Sequence, residues 1–212
     1  MKRLPAAVLS ICLASAIGTL PAFAQQITPG LVDAFQRGGH VILVRHTETD
    51  RSLIPAAQRP PEPKPMDLAN CEIQAKLTEK GRDEARAIGE AYRTLAIPAG
   101  QVLASPYCRT LETARLAFGR AERSDVLLHP AYVPVPGAPV PASFAVRTEA
   151  LKKLLATVPA AGTNTILVSH GETIQPAVGF EIATGEAVIF RPDGQGGTTL
   201  IARVLATGWV PK

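Results

Sequence analysis

The chain has 212 residues, of which 46% are hydrophobic, 19% charged and 5% aromatic. That is one domain's worth of sequence, and it is too apolar for intrinsic disorder. Three cysteines, no glycine period and no heptad run exclude disulfide-dense, collagen-like and coiled-coil classes, and a scattered net charge of +4 gives no basis for nucleic-acid binding.

The first residues read as a targeting segment. Lys2 and Arg3 precede an apolar stretch over residues 6–17, and Ala22-Phe23-Ala24 has the small-x-small pattern of a cleavage site. Removal after Ala24 would leave residues 25–212 as the working domain. The apolar stretch is shorter than the about 20 residues a membrane span needs. Ile11 before Cys12 is too bulky for a lipoprotein signal. The expectation is an exported, periplasmic protein with no membrane span in the mature chain. In an oxidising compartment the two remaining cysteines, Cys71 and Cys108, are expected to form one disulfide. It would stabilise by about 3–4 kcal/mol if chain entropy alone counts.

Thr28-Pro29 starts a short helix that Gly38-Gly39 end. The run 40–44, apolar and rich in β-branched residues after His40, predicts a buried strand stopping at Arg45-His46. Residues 47–76 are proline-rich and predict a long loop. Thr78 caps a helix expected through Leu95, with Ala85, Ile88, Ala91 and Tyr92 at helical spacing. Residues 102–104 predict a strand ending at Ser105-Pro106, then a helix over 107–118. Residues 130–141 are again proline-rich, and a helix is expected over 143–158. Residues 165–168 predict a third apolar strand, ending at Ser169-His170. The tail predicts a hairpin: 187–190, a glycine-rich turn at 193–197, then 198–204. Strands alternating with helices imply an α/β fold, a three-layer α/β/α sandwich with a mostly parallel, mixed central sheet.

Ligands of such sheets bind beyond the carboxyl ends of the strands. Three predicted strand ends bring together Arg45, His46, His170 and, one helical turn on, Arg109. Two arginines and two histidines make a cationic pocket suited to a phosphate, with helix N-termini adding N–H donors.

These residues also carry a resemblance. Arg45-His46-Thr47-Glu48-Thr49 resembles the Arg-His-Gly-Glu-Thr block of the histidine phosphatase superfamily, which includes cofactor-dependent phosphoglycerate mutases. Ser105-Pro106-x-x-Arg109-x-x-x-Thr113-Ala114 resembles its second block, Ser169-His170-Gly171 its third, and Leu77-Thr78-x-x-Gly81 a helix start found in the family. The resemblance implies the phosphoglycerate mutase-like fold, His46 as nucleophile forming a phosphohistidine, and Arg45, Arg109 and His170 as phosphoryl ligands. It implies neither a cofactor nor a metal. The chemistry fits: phosphoryl transfer needs positioning and charge stabilisation, and flanking arginines help keep an attacking histidine neutral.

Two positions depart from the pattern. Thr47 stands where the family has glycine, so its side chain either crowds the phosphate or donates to it. Gly171 stands where one branch of phosphatases carries the Asp that serves as general acid. Glu172 is the first candidate for that role, Glu48 the second, and Glu122 lies in the stretch where mutase-like members place a Glu. His40 and His129 read as structural or surface groups, Arg115, Arg120 and Arg123 as a solvated face, Ser169 as a support for the site and Trp209 as a packing anchor. The expected activity is a phosphomonoesterase of the histidine acid phosphatase type acting on a small phosphate ester of the cell envelope. The alternatives are a non-catalytic anion-binding protein and a phosphotransferase or mutase.

Overall fold

A computed structural model describes residues 26–50, 52 and 65–209. The targeting segment, Cys12 included, lies outside the described residues. Each long apolar run forms its expected strand: β1 (Val41–Arg45), β4 (Ala99–Ala104), β6 (Asn164–Ser169), β7 (Ala187–Pro192) and β8 (Thr198–Val204). Two-residue strands β2 (Thr49–Asp50), β3 (Lys76–Leu77) and β5 (Glu122–Arg123) complete the set. The main sheet has the order β5-β4-β6-β1-β7-β8. β5, β4, β6 and β1 run parallel, and β7 and β8 add antiparallel pairings.

The helices are α1 (Pro29–Gln36), α2 (Glu79–Thr94), α3 (Cys108–Phe118), α4 (Phe144–Leu155) and α5 (Gly171–Val178). Strand residues alternate between two cores because successive side chains leave opposite faces. Ile42 and Val44 join Phe35, Ile88, Tyr92 and Leu111 from α1–α3. Val41 and Leu43 join Leu151, Leu155 and Ile174 from α4 and α5. This gives the three expected layers. Trp209 anchors the tail as expected, 1% exposed, against Tyr92 and Phe35 at 4.8 and 6.5 Å between ring centroids.

Three expectations change. The described residues of 47–76 include the β2 strand, the start of β3 that pairs with it, and a 3₁₀ turn over Cys71–Ile73, where a long loop was expected. The helix expected to Val158 ends at Leu155. α5 was not anticipated, because Gly171 opens it and Pro176 interrupts it. Proline removes one helical hydrogen bond, but Ile174 is fully buried and holds the short helix against the second core.

α2 and α3 approach so closely that a Cβ on Gly89 would lie 2.4 Å from the Ala117 carbonyl oxygen. Both atoms belong to helical backbone, so the clash cannot relax by rotation of a side chain. Gly→Ala stabilises an open helix site by up to about 1 kcal/mol. Gly89→Ala will instead destabilise, by about 1–3 kcal/mol through overpacking, read as a lower denaturant midpoint at unchanged slope.

Candidate active site

Parallel register sets the site. Arg45 pairs with Ser169 and Ala104 with Val168. The His46 N–H donates to the Ser169 carbonyl at 2.9 Å, and the Ser105 N–H to the Val168 carbonyl at 3.0 Å. Three strand ends are therefore level, and the imidazoles of His46 and His170 meet edge to face with centroids 5.4 Å apart.

Arg109 joins them. It lies in the first turn of α3, its guanidinium 4.6 Å from the Tyr107 ring centroid. Its Nε donates to His46 Nε2 at 3.2 Å and its Nη2 to His170 Nδ1 at 3.0 Å. A guanidinium only donates, so both ring nitrogens facing it present lone pairs. The other nitrogens are then settled. His46 Nδ1 donates to its neighbour's carbonyl, Thr47 O, at 2.9 Å, and His170 Nε2 donates to Ser105 Oγ at 2.8 Å. Both rings are neutral, in opposite tautomers. Burial first, and the Arg109 charge second, lower the His46 pKa to about 3 and hold His170 well below the ordinary range.

Arg45 is fixed from the far side. Its Nη1 donates to the Ile182 carbonyl at 2.9 Å. The segment carrying Ile182 is tied down by Glu186, 1% exposed, which accepts from Arg203 Nε at 2.6 Å and from the Ala183 N–H at 2.7 Å. A Cβ at position 171 would sit 3.0 Å from Arg45 Cζ. Gly171 thus packs closely against Arg45, and a side chain there would require the guanidinium to give by a few tenths of an ångström. Arg45 also floors a cavity of about 190 Å³, whose walls include Glu172, Gln175 and Glu181.

Thr47 neither crowds the pocket nor points into it. It is fully buried, and its hydroxyl and N–H both meet Thr113 Oγ1, at 3.2 and 3.3 Å. Thr113 Oγ1 in turn donates to the Arg109 carbonyl at 2.8 Å. The hydroxyl expected at the phosphate instead ties the strand end of His46 to the helix turn of Arg109.

The carboxylates separate clearly. Glu48 accepts from Thr78 Oγ1 at 3.0 Å and from Lys80, so it anchors the start of α2. Glu122 is exposed on edge strand β5, beside Gln101. Glu172 stands at the site, with Oε2 3.6 Å from His129 Nε2. Contact with His129 holds its carboxyl well below the usual carboxylate range, against the opposing effect of burial. A carboxyl held in this way is an anion at neutral pH.

Cys71 and Cys108 are bridged, with Cα atoms 5.7 Å apart. The bridge pins the 3₁₀ turn to the residue preceding Arg109. Gln74, which sequence reasoning did not single out, accepts from the Cys108 N–H at 2.9 Å and donates to the Leu68 carbonyl at 3.2 Å. Ser169 supports from below, donating to the Leu127 carbonyl at 2.8 Å. His129, expected to be structural or at the surface, stacks edge-on against His170 at 5.1 Å. His40 is structural, buried against Phe35. Arg120 donates to the Ala99 carbonyl at the opposite end of β4. Among the described residues, no group of three or more His, Cys, Asp and Glu is arranged to hold a metal ion.

A family model of the histidine phosphatase superfamily, branch 1, matches residues 41–131, which include Arg45, His46, Arg109 and His129. No curated protein matches the chain. Solved structures do. One is the product of the Rv3214 open reading frame of Mycobacterium tuberculosis, 20% identical with a TM-score of 0.54, covering 80% of this chain and 98% of its own. The protein histidine phosphatase SixA, complexed with tungstate, is 17% identical with a TM-score of 0.54, covering 81% and 99%. The phosphoserine phosphatase of Entamoeba histolytica, in complex with 3-phosphoglyceric acid, is 16% identical with a TM-score of 0.53 and the same coverages. These likenesses show a shared fold. Residues 41–131 are thus similar to the histidine phosphatase superfamily, branch 1, and the chain shares the fold of these solved structures.

The neutral histidines make stability depend on pH. Folded pKa values lie below the unfolded value of about 6.5. The unfolded chain therefore binds more protons as pH falls below 6.5, and stability drops from there toward pH 3. Thermal midpoints will fall between pH 7 and pH 4, and His46→Gln will flatten that slope by removing one of the titrating groups.

Proposed function

We propose that the chain is an exported phosphomonoesterase that works through a phosphohistidine on His46. The observation that carries this reading is the fixed His46 tautomer: Nδ1–H is held by the Thr47 carbonyl, leaving an Nε2 lone pair beside His170 and Arg109. A phosphoryl group approaching Nε2 offers oxygens to which Arg109 can transfer both of its donors. That exchange frees the lone pair for attack at the moment the charge is neutralised.

His170 then changes role. Ser105 Oγ can accept or donate, so His170 can take the Nδ1–H tautomer and donate to a phosphoryl oxygen once Arg109 has moved. Arg45 supplies the second guanidinium, and the first turns of α3 and α5 face the same strand ends. Thr47 serves as a positioning residue through Thr113. Glu172 is the proton-transfer carboxylate. In the first step Nε2 bonds to phosphorus as the P–O bond of the ester breaks, its electron pair leaving on the ester oxygen, which takes a proton from solvent water at the mouth of the site. In the second, water forms a P–O bond and the electron pair of P–N returns to Nε2.

The solved relatives named as phosphatases support this reading, and the Cys71–Cys108 bridge supports export. The motives for a non-catalytic protein, Thr47 and Gly171, both have packing reasons. The substrate is proposed to be a small phosphate ester of the envelope, with selectivity set by the proline-rich segments. Those segments meet where the Met66 N–H donates to the Val133 carbonyl at 2.9 Å.

Wild-type protein will hydrolyse an aryl phosphate and, after an alkaline denaturing quench, retain a labelled phosphoryl group that acid removes. His46→Ala will lose both. Arg109→Ala will lower kcat by about 10²–10³-fold. Retained turnover and label in His46→Ala would sink the proposal, and transfer of the label to an added alcohol would reassign it as a phosphotransferase. In cell fractionation the protein will appear in the periplasm, shortened to start after Ala24. A cytoplasmic protein still carrying residues 1–24 contradicts export.

A further inference from the structure

Outside the nucleophile and its phosphate ligands, one pair of groups spans two elements at the mouth of the site. Glu172 lies in the first turn of α5, and His129 follows the 3₁₀ turn Asp125–Leu127. Their side chains are 45% and 17% exposed.

The His129 ring is fixed on several sides. Its Nδ1 accepts the Ala131 N–H at 3.1 Å. A neutral ring therefore carries its proton on Nε2, the atom that faces Glu172 Oε2 at 3.6 Å. Protonating Nδ1 would set two N–H donors against each other. The ring edges against His170 at 5.1 Å and lies 6.0 Å from Tyr107. These contacts leave its Nε2–H one direction, toward the carboxylate.

We propose that His129 is a positioning residue for hydrolysis of the phosphoenzyme, aiming the Glu172 carboxylate at the attacking water. The inference rests on the phosphohistidine reading above. In the step concerned, the water oxygen bonds to phosphorus and the P–Nε2 bond of His46 breaks, its electron pair staying on nitrogen. The water proton passes to a Glu172 oxygen. Inorganic phosphate and a protonated Glu172 result, and Glu172 then releases its proton to solvent.

The charges around the pair fit this assignment. Glu172 faces His129 from one side and Arg45 of β1 from the other, with His46 also in electrostatic range. Glu181 and Gln175 share its cavity. His129 faces Glu172, Tyr107 and His170. Removing His129 takes away the main group that favours the Glu172 anion. The carboxyl then moves up toward its ordinary range, and hydrolysis begins to fail at higher pH.

The test is single-turnover decay of the labelled phosphoenzyme between pH 3 and 8. Compared with wild type, His129→Leu is expected to slow decay at least about tenfold and to move its acid limb up by about one pH unit or more. KM for the aryl phosphate should stay within about twofold, because the phosphate ligands are untouched. His129→Gln, which keeps an N–H donor, should recover part of the rate and of the limb. A folded His129→Leu with the wild-type decay profile overturns the inference, even though a phosphoenzyme has formed. If no phosphoenzyme forms in wild type, the parent reading has failed instead. Should His129→Leu not fold, the infrared carboxyl band assigned by difference against Glu172→Gln in otherwise unaltered protein decides. No protonated Glu172 band down to about pH 3 sustains the inference, and a band with an ordinary midpoint near 4.3 overturns it.

Discussion

One guanidinium donating to two imidazoles is the constraint on which the site depends. Arg109 can reach both rings only if β1, β4 and β6 end level and α3 begins one turn beyond β4. It also decides where protons sit, because a group that only donates forces lone pairs on whatever it touches. The cost is two buried neutral histidines whose protonation is suppressed. On the proposed reading, the benefit is a nucleophile that needs no separate base to strip it of a proton. Substrate oxygens are better acceptors for Arg109 than the rings are, since they carry full charge. In the proposed reaction, binding of the phosphoryl group and activation of His46 are then one event.

The surroundings of Arg109 explain much of the remaining architecture. Tyr107 lies under its guanidinium, and Thr113 joins its carbonyl to Thr47. Cys108 is bridged to the 3₁₀ turn while its N–H is met by Gln74. Gly89 lets α2 lie directly on α3. Each of these holds the first turn of α3 from a different direction, as expected where a side chain must be placed accurately for charge stabilisation.

The sequence was most informative where chemistry sat at the end of an apolar run. Arg45-His46 and Ser169-His170 follow strands whose β-branched content is unmistakable, and Arg109 follows a strand and a turn. The fold and the convergence of Arg45, His46, Arg109 and His170 could therefore be read together. Glu172 and His129 were harder. Their pairing depends on how the loop after the Asp125–Leu127 turn lies over α5, and residue spacing says nothing about that approach. α5 itself was hidden by Gly171 and Pro176, two residues of poor helix propensity that tertiary packing overrides. Thr47 looked like an intrusion because its rotamer is set by Thr113, 66 positions away.

Gly171 bears on how such a site can vary. With Arg45 against the backbone there, no side chain larger than hydrogen fits without shifting the guanidinium. A carboxylate immediately after the second histidine would therefore press on an arginine in this pose. The next position is about 100° further round the helix, where Glu172 shares a cavity with Arg45 and its side chain is 45% exposed. A lineage that keeps this arginine placement can carry a carboxylate on α5 at that neighbouring position, where a histidine from another element meets it.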